Sequence, residues 1–176
     1  MLKRLKSLSE IKKELRFYLD NKQVYDVILF GSYVKGKENP SDIDVAIISM
    51  GELKEVEGYH ISFLEPLDFF KNIPSLANTL FREGYSLKFD KNFSENYGFQ
   101  NKCMFVYWLS DLTASNKVTA VNFLRGINGK KGMVEEQGGE WIANQVFLSS
   151  VNKDYLFEQF FLNHKIKFKK SYILIH

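Results

Sequence analysis

Cysteine and proline are scarce in this chain, which has one cysteine and three prolines among 176 residues. A single cysteine cannot form an intramolecular disulfide, and a structural zinc site needs several thiol or imidazole ligands. The cysteine, Cys103, alternates with Phe105 and Tyr107 along the sequence. Because cysteine is one of the residues most often found inside proteins, we expect an inert thiol in a hydrophobic core.

Long apolar runs are also missing from the sequence. None approaches the roughly 20 residues that a membrane-spanning helix needs. The amino-terminal sequence MLKRLKSLSE lacks the apolar stretch of a signal peptide. We therefore expect a cytoplasmic protein that does not enter the membrane.

The charge balance is only mildly basic, with a formal net charge of +3. Such a balance suits a polyanionic partner, but it falls short of the strongly basic composition that is typical of proteins dedicated to nucleic acid. Hydrophobic residues make up 45% of the sequence, enough for one good core or two small ones.

The first half of the chain predicts alternating helices and strands. Apolar residues recur at helical spacing from Leu2 to about Asn21, which predicts an amphipathic helix that packs on a sheet. Gly84 is expected to end a second helix that starts at about Pro74. Short runs of β-branched and aromatic residues predict strands at residues 24–30, 43–48, 59–64 and 85–89.

The polar segment 90–101 is predicted to be a linker between two domains, residues 1–92 and residues 93–176. The first is expected to be an α/β domain with a short mixed sheet. The second is expected to be a smaller α+β domain, an accessory part to which the sequence attaches no role. Strands are predicted there at residues 104–109, 118–124, 145–148 and 165–175, and helices at residues 133–137 and 152–163.

Two aspartates, Asp42 and Asp44, stand at the mouth of the second predicted strand. Because they are two residues apart, their side chains should leave the same face of the strand, with Ile43 and Val45 on the other face. Neighbouring carboxylates repel each other unless a cation lies between them. A hard divalent cation, Mg²⁺ or Mn²⁺, would relieve this repulsion and bind the phosphate oxygens of a nucleotide.

The residues Gly31 and Ser32 follow the first predicted strand directly, within the sequence LFGSYVKGKENPSDIDVAI. They are expected to open a turn or helix whose backbone N–H groups and serine hydroxyl bind phosphate. Glycine at this position would let the backbone approach the phosphate closely.

A strand that ends in Gly-Ser, a gap of about ten residues and Asp-x-Asp on a second strand together resemble the signature of the DNA polymerase beta-like nucleotidyltransferase superfamily, above all its minimal prokaryotic and archaeal members. The resemblance covers residues 22 to 90. It implies that Gly31 and Ser32 bind the triphosphate, that Asp42 and Asp44 bind two metal ions, and that a third carboxylate on a following strand activates the attacking hydroxyl.

The third carboxylate is where this sequence departs from the family pattern. The alternation of the strand 59–64 puts His60, Ser62 and Leu64 on one face, and neither face holds an acid. His60 aligns with the expected aspartate, so it either replaces that residue as a base or marks a weakened site. Glu65 and Asp68 lie just beyond the strand and are the alternatives.

The sequence therefore predicts an enzyme that moves a nucleoside monophosphate from a nucleoside triphosphate, ATP among the candidates, to an acceptor and releases pyrophosphate. RNA, protein and small molecules all remain open as acceptors. The alternative is a degenerate transferase fold that binds nucleotide, RNA or a partner protein, as in a toxin–antitoxin pair, without turnover.

Overall fold

The computed structural model describes residues 6–35, 42–51 and 53–176, which form two compact units. Residues 1–100 with His176 belong to the first unit, and residues 101–175 form the second. The chain combines helices with a mixed sheet and a second sheet, which confirms the predicted combination of helices and strands. Whether residues 1–92 and 93–176 are separate domains stays a prediction.

The first unit contains a five-stranded sheet in the order β3-β2-β1-β4-β5. Strand β1 is antiparallel to β2 and β4, β4 is antiparallel to β5, and only β2 and β3 are parallel. The elements in chain order are α1 Leu8–Glu14, α2 Arg16–Leu19, β1 Val24–Phe30, β2 Asp44–Ser49, β3 His60–Leu64, α3 Asp68–Lys71, α4 Ser75–Glu83, β4 Tyr85–Ser86 and β5 Lys91–Asn92, followed by a 3-10 helix at Phe93–Tyr97.

The two faces of this sheet are covered by different helices. Helices α1 and α2 cover one face through the buried side chains of Ile11, Leu15 and Tyr18. Helix α4 and the 3-10 helix cover the other face, where Leu80 and Phe93 are buried. Burial of apolar surface on both faces is the main stabilising contribution to such a layered unit.

The amino-terminal helix that the sequence predicts is interrupted at Leu15. Helix α1 begins after Ser7, whose hydroxyl and the Glu10 side chain form a reciprocal capping box. The interruption leaves Ile11, Leu15 and Tyr18 on the sheet side, so the predicted packing of this segment on a sheet is confirmed. Residues 2–5 of the prediction lie outside the described residues.

Two further predictions for the first unit need correction. Strand β4 covers only Tyr85 and Ser86, and the predicted linker 90–101 is folded. Phe93 is 2% exposed, and its ring lies 5.1 Å from Phe81 and 5.3 Å from Tyr97 between ring centroids. Phe93, one of three aromatic residues in this otherwise polar segment, fixes the segment to the core.

The second unit contains a four-stranded sheet in the order β7-β8-β6-β9. Its core is rich in aromatic rings, among them Phe105, Phe147, Phe157 and Phe161. The elements are β6 Gln100–Trp108, α5 Ala114–Arg125, α6 Met133–Glu136, β7 Glu140–Ala143, β8 Val146–Ser150, a 3-10 helix at Val151–Lys153, α7 Asp154–Asn163 and β9 Lys167–Ile175.

The prediction of a strand at residues 118–124 is wrong, because these residues belong to helix α5. The segment is rich in β-branched and aromatic residues, which favour strands. Its buried residues Ala120 and Leu124 are four apart, however, and the Thr113 side chain caps the first turn by accepting from the N–H of Asn116. Packing and the cap decide the local structure against intrinsic propensity.

The described residues of the chain contain no helix with the length and apolar character to span a membrane.

Candidate active site

The Gly-Ser turn and the first aspartate of β2 lie side by side at one end of the first sheet. Strand β1 ends at Phe30, and Phe30 is the backbone partner of Asp44 at the start of the antiparallel strand β2. The end of one strand and the beginning of its antiparallel neighbour are always adjacent. The sheet thus brings together two motifs that are separated by about ten residues in the sequence.

The close contact with Asp44 leaves no room for a side chain at residue 31, so the position requires glycine. Its φ is +73°, in the left-handed region that favours glycine. A Cβ atom at this position would lie 2.5 Å from Oδ2 of Asp44, closer than real Cβ contacts. The sequence predicts that glycine lets a phosphate approach closely here, and the missing side chain also makes room for the Asp44 carboxylate.

Two hydrogen bonds and an ion pair hold the turn that follows Gly31. The N–H of Lys35 donates to the carbonyl of Gly31 over 3.3 Å, which closes one helical turn. The Tyr33 hydroxyl donates to the carbonyl of Lys6 over 3.0 Å. On the other side, Nζ of Lys35 forms an ion pair of 2.9 Å with the carboxylate of Glu83. These contacts fix the backbone around Ser32.

Glu83 is a buried carboxylate that the sequence analysis did not single out. Its side chain is 3% exposed at the end of α4, and Arg82 approaches the same oxygen at 3.0 Å. A buried carboxylate needs charged or polar partners, and here one partner comes from the Gly-Ser turn. The only sign of Glu83 in the sequence is its place as the last residue of an amphipathic helix. Exposed helix ends often carry such an acid, so the sequence does not set Glu83 apart.

Asp42 and Asp44 show the alternation that the sequence predicts. Ile43 and Val45 are buried in the core beneath α1 and α2, whereas Asp42 is exposed and Asp44 is partly exposed. Asp44 is the first residue of β2, and Asp42 precedes the strand. Residues 36–41, which contain the predicted turn between Ser32 and Asp42, lie outside the described residues.

His60 lies opposite Asp44 on the neighbouring parallel strand. The two residues are backbone partners, and Nδ1 of His60 is 3.0 Å from Oδ1 of Asp44. The imidazole is largely exposed, at 73% of the side chain, and the Asp44 carboxylate is 27% exposed. The N–H of His60 also donates to the carbonyl of Ile43 over 3.0 Å. The expected position of the third acid is therefore occupied by an imidazole in direct contact with Asp44.

The start of β3 is fixed to helix α1 by polar contacts of Tyr59. Its hydroxyl donates to the Glu14 carboxylate over 2.7 Å, and that carboxylate pairs with Lys6 at 2.6 Å. The hydrogen bonds from Lys6 and Tyr59 hold the pKa of Glu14 below its usual value. Burial, followed by the bond to Glu14, raises the pKa of Tyr59. This cluster places His60, the next residue, at the start of the strand.

Glu65 and Asp68 lie at the far end of β3. Because β3 runs parallel to β2, Leu64 pairs with Ile48 while His60 pairs with Asp44. Four residues along a strand correspond to about 13 Å. The Asp68 carboxylate instead accepts from the N–H of Glu65 over 3.3 Å. The geometry therefore favours His60 over both acids as the neighbour of Asp44.

The donor set at this end of the sheet suits a divalent cation that a nucleotide helps to bind. Within residues 6–35, 42–51 and 53–176, no three His, Cys, Asp or Glu side chains group closely enough to hold a metal ion by themselves. Mg²⁺ is usually bound by one or two carboxylates together with substrate phosphates and water. Asp42 and Asp44 fit this pattern, because Asp44 is the first residue of β2 and Asp42 lies two residues before it.

Comparison with known proteins agrees with this geometry. Residues 8–175 match the family that is described as the nucleotidyltransferase domain, so the chain belongs to this polymerase beta-like family. A protein of Methanocaldococcus jannaschii, named as a candidate protein adenylyltransferase, is 37% identical over 75 residues, which cover 40% of this chain and 81% of that protein. No solved structure matches the chain.

Proposed function

We propose that this protein transfers a nucleoside monophosphate from a nucleoside triphosphate to an acceptor hydroxyl and releases pyrophosphate. An acceptor oxygen forms a bond to the α-phosphorus while the bond from that phosphorus to the bridging oxygen breaks. Pyrophosphate leaves with the bridging oxygen, and the hydroxyl proton passes to a base or to water. The family supports nucleotidyl transfer in general.

The observation that carries the proposal is the contact between the Gly-Ser turn and Asp44. A Cβ atom on Gly31 would lie 2.5 Å from the Asp44 carboxylate, so a phosphate bound at the turn would lie beside that carboxylate. An anion and a carboxylate at such close quarters repel each other unless a cation stands between them. The arrangement therefore suits a nucleotide phosphate that binds together with a divalent cation.

The residues of the site have separate roles in this proposal. The Ser32 hydroxyl and the backbone N–H groups of the turn bind the triphosphate. Asp42 and Asp44 hold Mg²⁺ or Mn²⁺, in a two-metal arrangement if a second ion enters with the nucleotide. When bound, the cation neutralises charge on the phosphate oxygens as it builds in the transition state. Lys35, held by Glu83, keeps the turn in place.

His60 stands where relatives of this kind are expected to carry their third acid. Its imidazole contacts Asp44 and is exposed, so an acceptor hydroxyl can reach it. We propose that His60 orients the acceptor and takes up its proton.

A protein side chain is the acceptor that the comparisons favour. The relative from Methanocaldococcus jannaschii is named for adenylyl transfer to protein, and this chain covers 81% of it. We therefore propose ATP as the donor and a hydroxyl of a protein side chain as the acceptor. RNA is the second candidate, because the chain is mildly basic.

A binding protein without turnover is the alternative that one observation favours. His60 occupies one oxygen of Asp44 with a hydrogen bond, and no acid lies on β3, which the structure describes in full. A site of this kind could bind nucleotide through the turn and the cation yet lack the group that activates an acceptor.

Labelled transfer separates these functions. The protein is incubated with each nucleoside triphosphate carrying a labelled α-phosphate, with Mg²⁺ or Mn²⁺, and with cellular protein and RNA in separate reactions. If the proposal is correct, ATP labels protein and one pyrophosphate is released for each labelled group. Both the label and the pyrophosphate should be lost in Asp44→Asn. Label on RNA would change the acceptor. Nucleotide binding without pyrophosphate release in any reaction would establish the alternative.

A further inference from the structure

A cavity lies in the first unit, at the end of the sheet away from Asp44 and His60. It has a volume of about 780 Å³, and fifteen of the described residues line it, none of which belongs to the candidate active site. This volume lies in the range of pockets that bind small molecules. Seven of the lining residues are aromatic: Tyr25, Phe69, Phe70, Phe81, Phe89, Phe93 and Tyr97.

The cavity and the candidate active site share one face of the sheet but are separated by packed side chains. Asp26 pairs with Ile48 at the cavity end, and Phe30 pairs with Asp44 at the other end. Between them, Ile28 and its partner Ala46 are both fully buried. A ligand in the cavity would therefore not occupy the place of a triphosphate at the Gly-Ser turn.

One carboxylate lies in the wall of this aromatic cavity. Asp26 is 3% exposed. Its Oδ1 accepts from the Ser86 hydroxyl over 2.6 Å and from the N–H of Val27 over 2.8 Å. Among the residues that the structure describes, its Oδ2 contacts only the amide of Asn96 as a donor, at 3.4 Å. One oxygen is thus satisfied, while the other retains most of its capacity to accept a hydrogen bond.

Asp26 has no cation as a direct partner within the described residues. Ion pairs within 4.0 Å hold several other carboxylates of this unit, but none of these pairs includes Asp26. Lys88 acts on it only at longer range, and its ammonium bonds to the carbonyl of Val24. Burial raises the pKa of Asp26, and its hydrogen bonds oppose this effect. A buried carboxylate without a paired cation is costly in free energy.

The mouth of the cavity is apolar and open to solvent. Phe70 is 86% exposed and Ile73 is 70% exposed, and both line the cavity. Exposed apolar groups concentrated around a cavity are typical of a binding site. Aromatic faces attract organic cations, and a carboxylate supplies the opposite charge.

We propose that this cavity binds a small organic cation, an ammonium group on an apolar or aromatic body, with the ammonium donating to Oδ2 of Asp26 and the body among the aromatic rings. Lys91 is the one cationic side chain among the described lining residues, and it opposes such a ligand and limits its affinity. The inference does not depend on the proposed transferase activity.

Three ligands of similar size and different charge test this proposal. Phenethylammonium, phenethyl alcohol and phenylpropionate are titrated into the full chain at neutral pH by calorimetry. The cation is expected to bind about tenfold more tightly than the alcohol, since both can donate to the Asp26 carboxylate but only the ammonium adds an opposite charge. Phenylpropionate is expected to bind most weakly. Equal affinity for cation and alcohol, or no measurable binding of either, would overturn the proposal.

Variants of the lining residues test whether the preference for the cation over the alcohol arises in this cavity. Asp26→Asn is expected to remove the difference between cation and alcohol, whereas Asp20→Asn, an exposed acid elsewhere, is expected to keep it. Phe70→Ala should weaken both ligands alike, and Lys91→Ala should tighten the cation alone. Asp44→Asn should leave all three affinities unchanged. If Asp26→Asn does not fold, the Phe70 and Lys91 variants decide, and a cation affinity indifferent to both would overturn the proposal.

Discussion

The imidazole of His60 lies 3.0 Å from the carboxylate of Asp44, because the two residues are partners on parallel strands. A third carboxylate in place of this imidazole is what the family pattern leads one to expect. The contact places His60 beside a proposed metal ligand, and it makes residue 60 the position where the active and the degenerate interpretations differ most.

Substitution of His60 is the first prediction. His60→Asp restores an acid beside Asp44, so nucleotidyl transfer should be retained or increased. His60→Ala should lose most of the transfer, since general base catalysis typically contributes about 10²–10⁴-fold. Ser62→Ala, on the same face of β3, is the matched control and should keep wild-type activity. If His60→Ala transfers as fast as wild type, no base is needed at this position.

Neutralising either aspartate should abolish metal-dependent nucleotide binding without unfolding the protein. Asp42→Asn and Asp44→Asn each remove one of two like charges, so the thermal stability of the metal-free protein should stay the same or rise slightly. Calorimetry with ATP and Mn²⁺ measures the binding, and thermal denaturation measures the fold. Unfolding of both variants in the absence of metal would show that the aspartates are structural.

Ser32 and Gly31 should differ in the kind of damage that a substitution causes. Ser32→Ala should weaken triphosphate binding by about 1.5–3 kcal/mol, the contribution of a hydrogen bond to a charged group, and leave the melting temperature unchanged. Gly31→Ala should lose binding and also stability, since its Cβ would displace the Asp44 carboxylate and its φ is +73°.

Gly51 provides the control for the glycine. Its φ is +92°, and a Cβ atom there would meet nothing within 4 Å. Gly51→Ala therefore has the backbone strain, about 1–2 kcal/mol, without the contact with Asp44. Normal nucleotide binding in Gly51→Ala and lost binding in Gly31→Ala would assign the effect to the carboxylate.

The ion pair of Lys35 and Glu83 should act as one unit in nucleotide binding. Lys35→Met and Glu83→Gln each release the Gly-Ser turn from α4, so both should lower the affinity for ATP by a similar factor. In the double variant the two effects should not add, because they remove the same contact. Calorimetry of the four proteins gives the coupling energy. A much larger loss in Lys35→Met than in Glu83→Gln would show that Lys35 binds phosphate directly.

The single thiol should be unreactive while the protein is folded. Cys103 is fully buried, and burial raises the pKa of its thiol to about 12. At a pH four units below this pKa the thiolate fraction is about one in 10⁴, and the thiolate is the reactive form. A thiol reagent should therefore modify the protein only after denaturant unfolds it. Rapid modification under native conditions would contradict the buried position.

The sequence predicts the strands that carry the candidate site because the signals for these strands are local. The strand before Gly31, the alternation around Asp42 and Asp44, and the polar and apolar faces of residues 59–64 all follow from the two-residue period of a strand. The helix that ends at Gly84 was readable for the same reason, since its pattern and its end signal lie within ten residues. The match of the family over residues 8–175 agrees with this interpretation.

Tertiary structure alone decided which distant residues meet. The parallel direction of β3 puts His60 beside Asp44 and carries Glu65 and Asp68 to the far end, and no periodicity encodes the direction of a strand. Burial of Phe93 turned an expected linker into part of the core. The segment 118–124 is helical because packing and a cap outweigh its strand propensity. Contacts between residues far apart in sequence depend on how the layers pack, so they appear only in the folded chain.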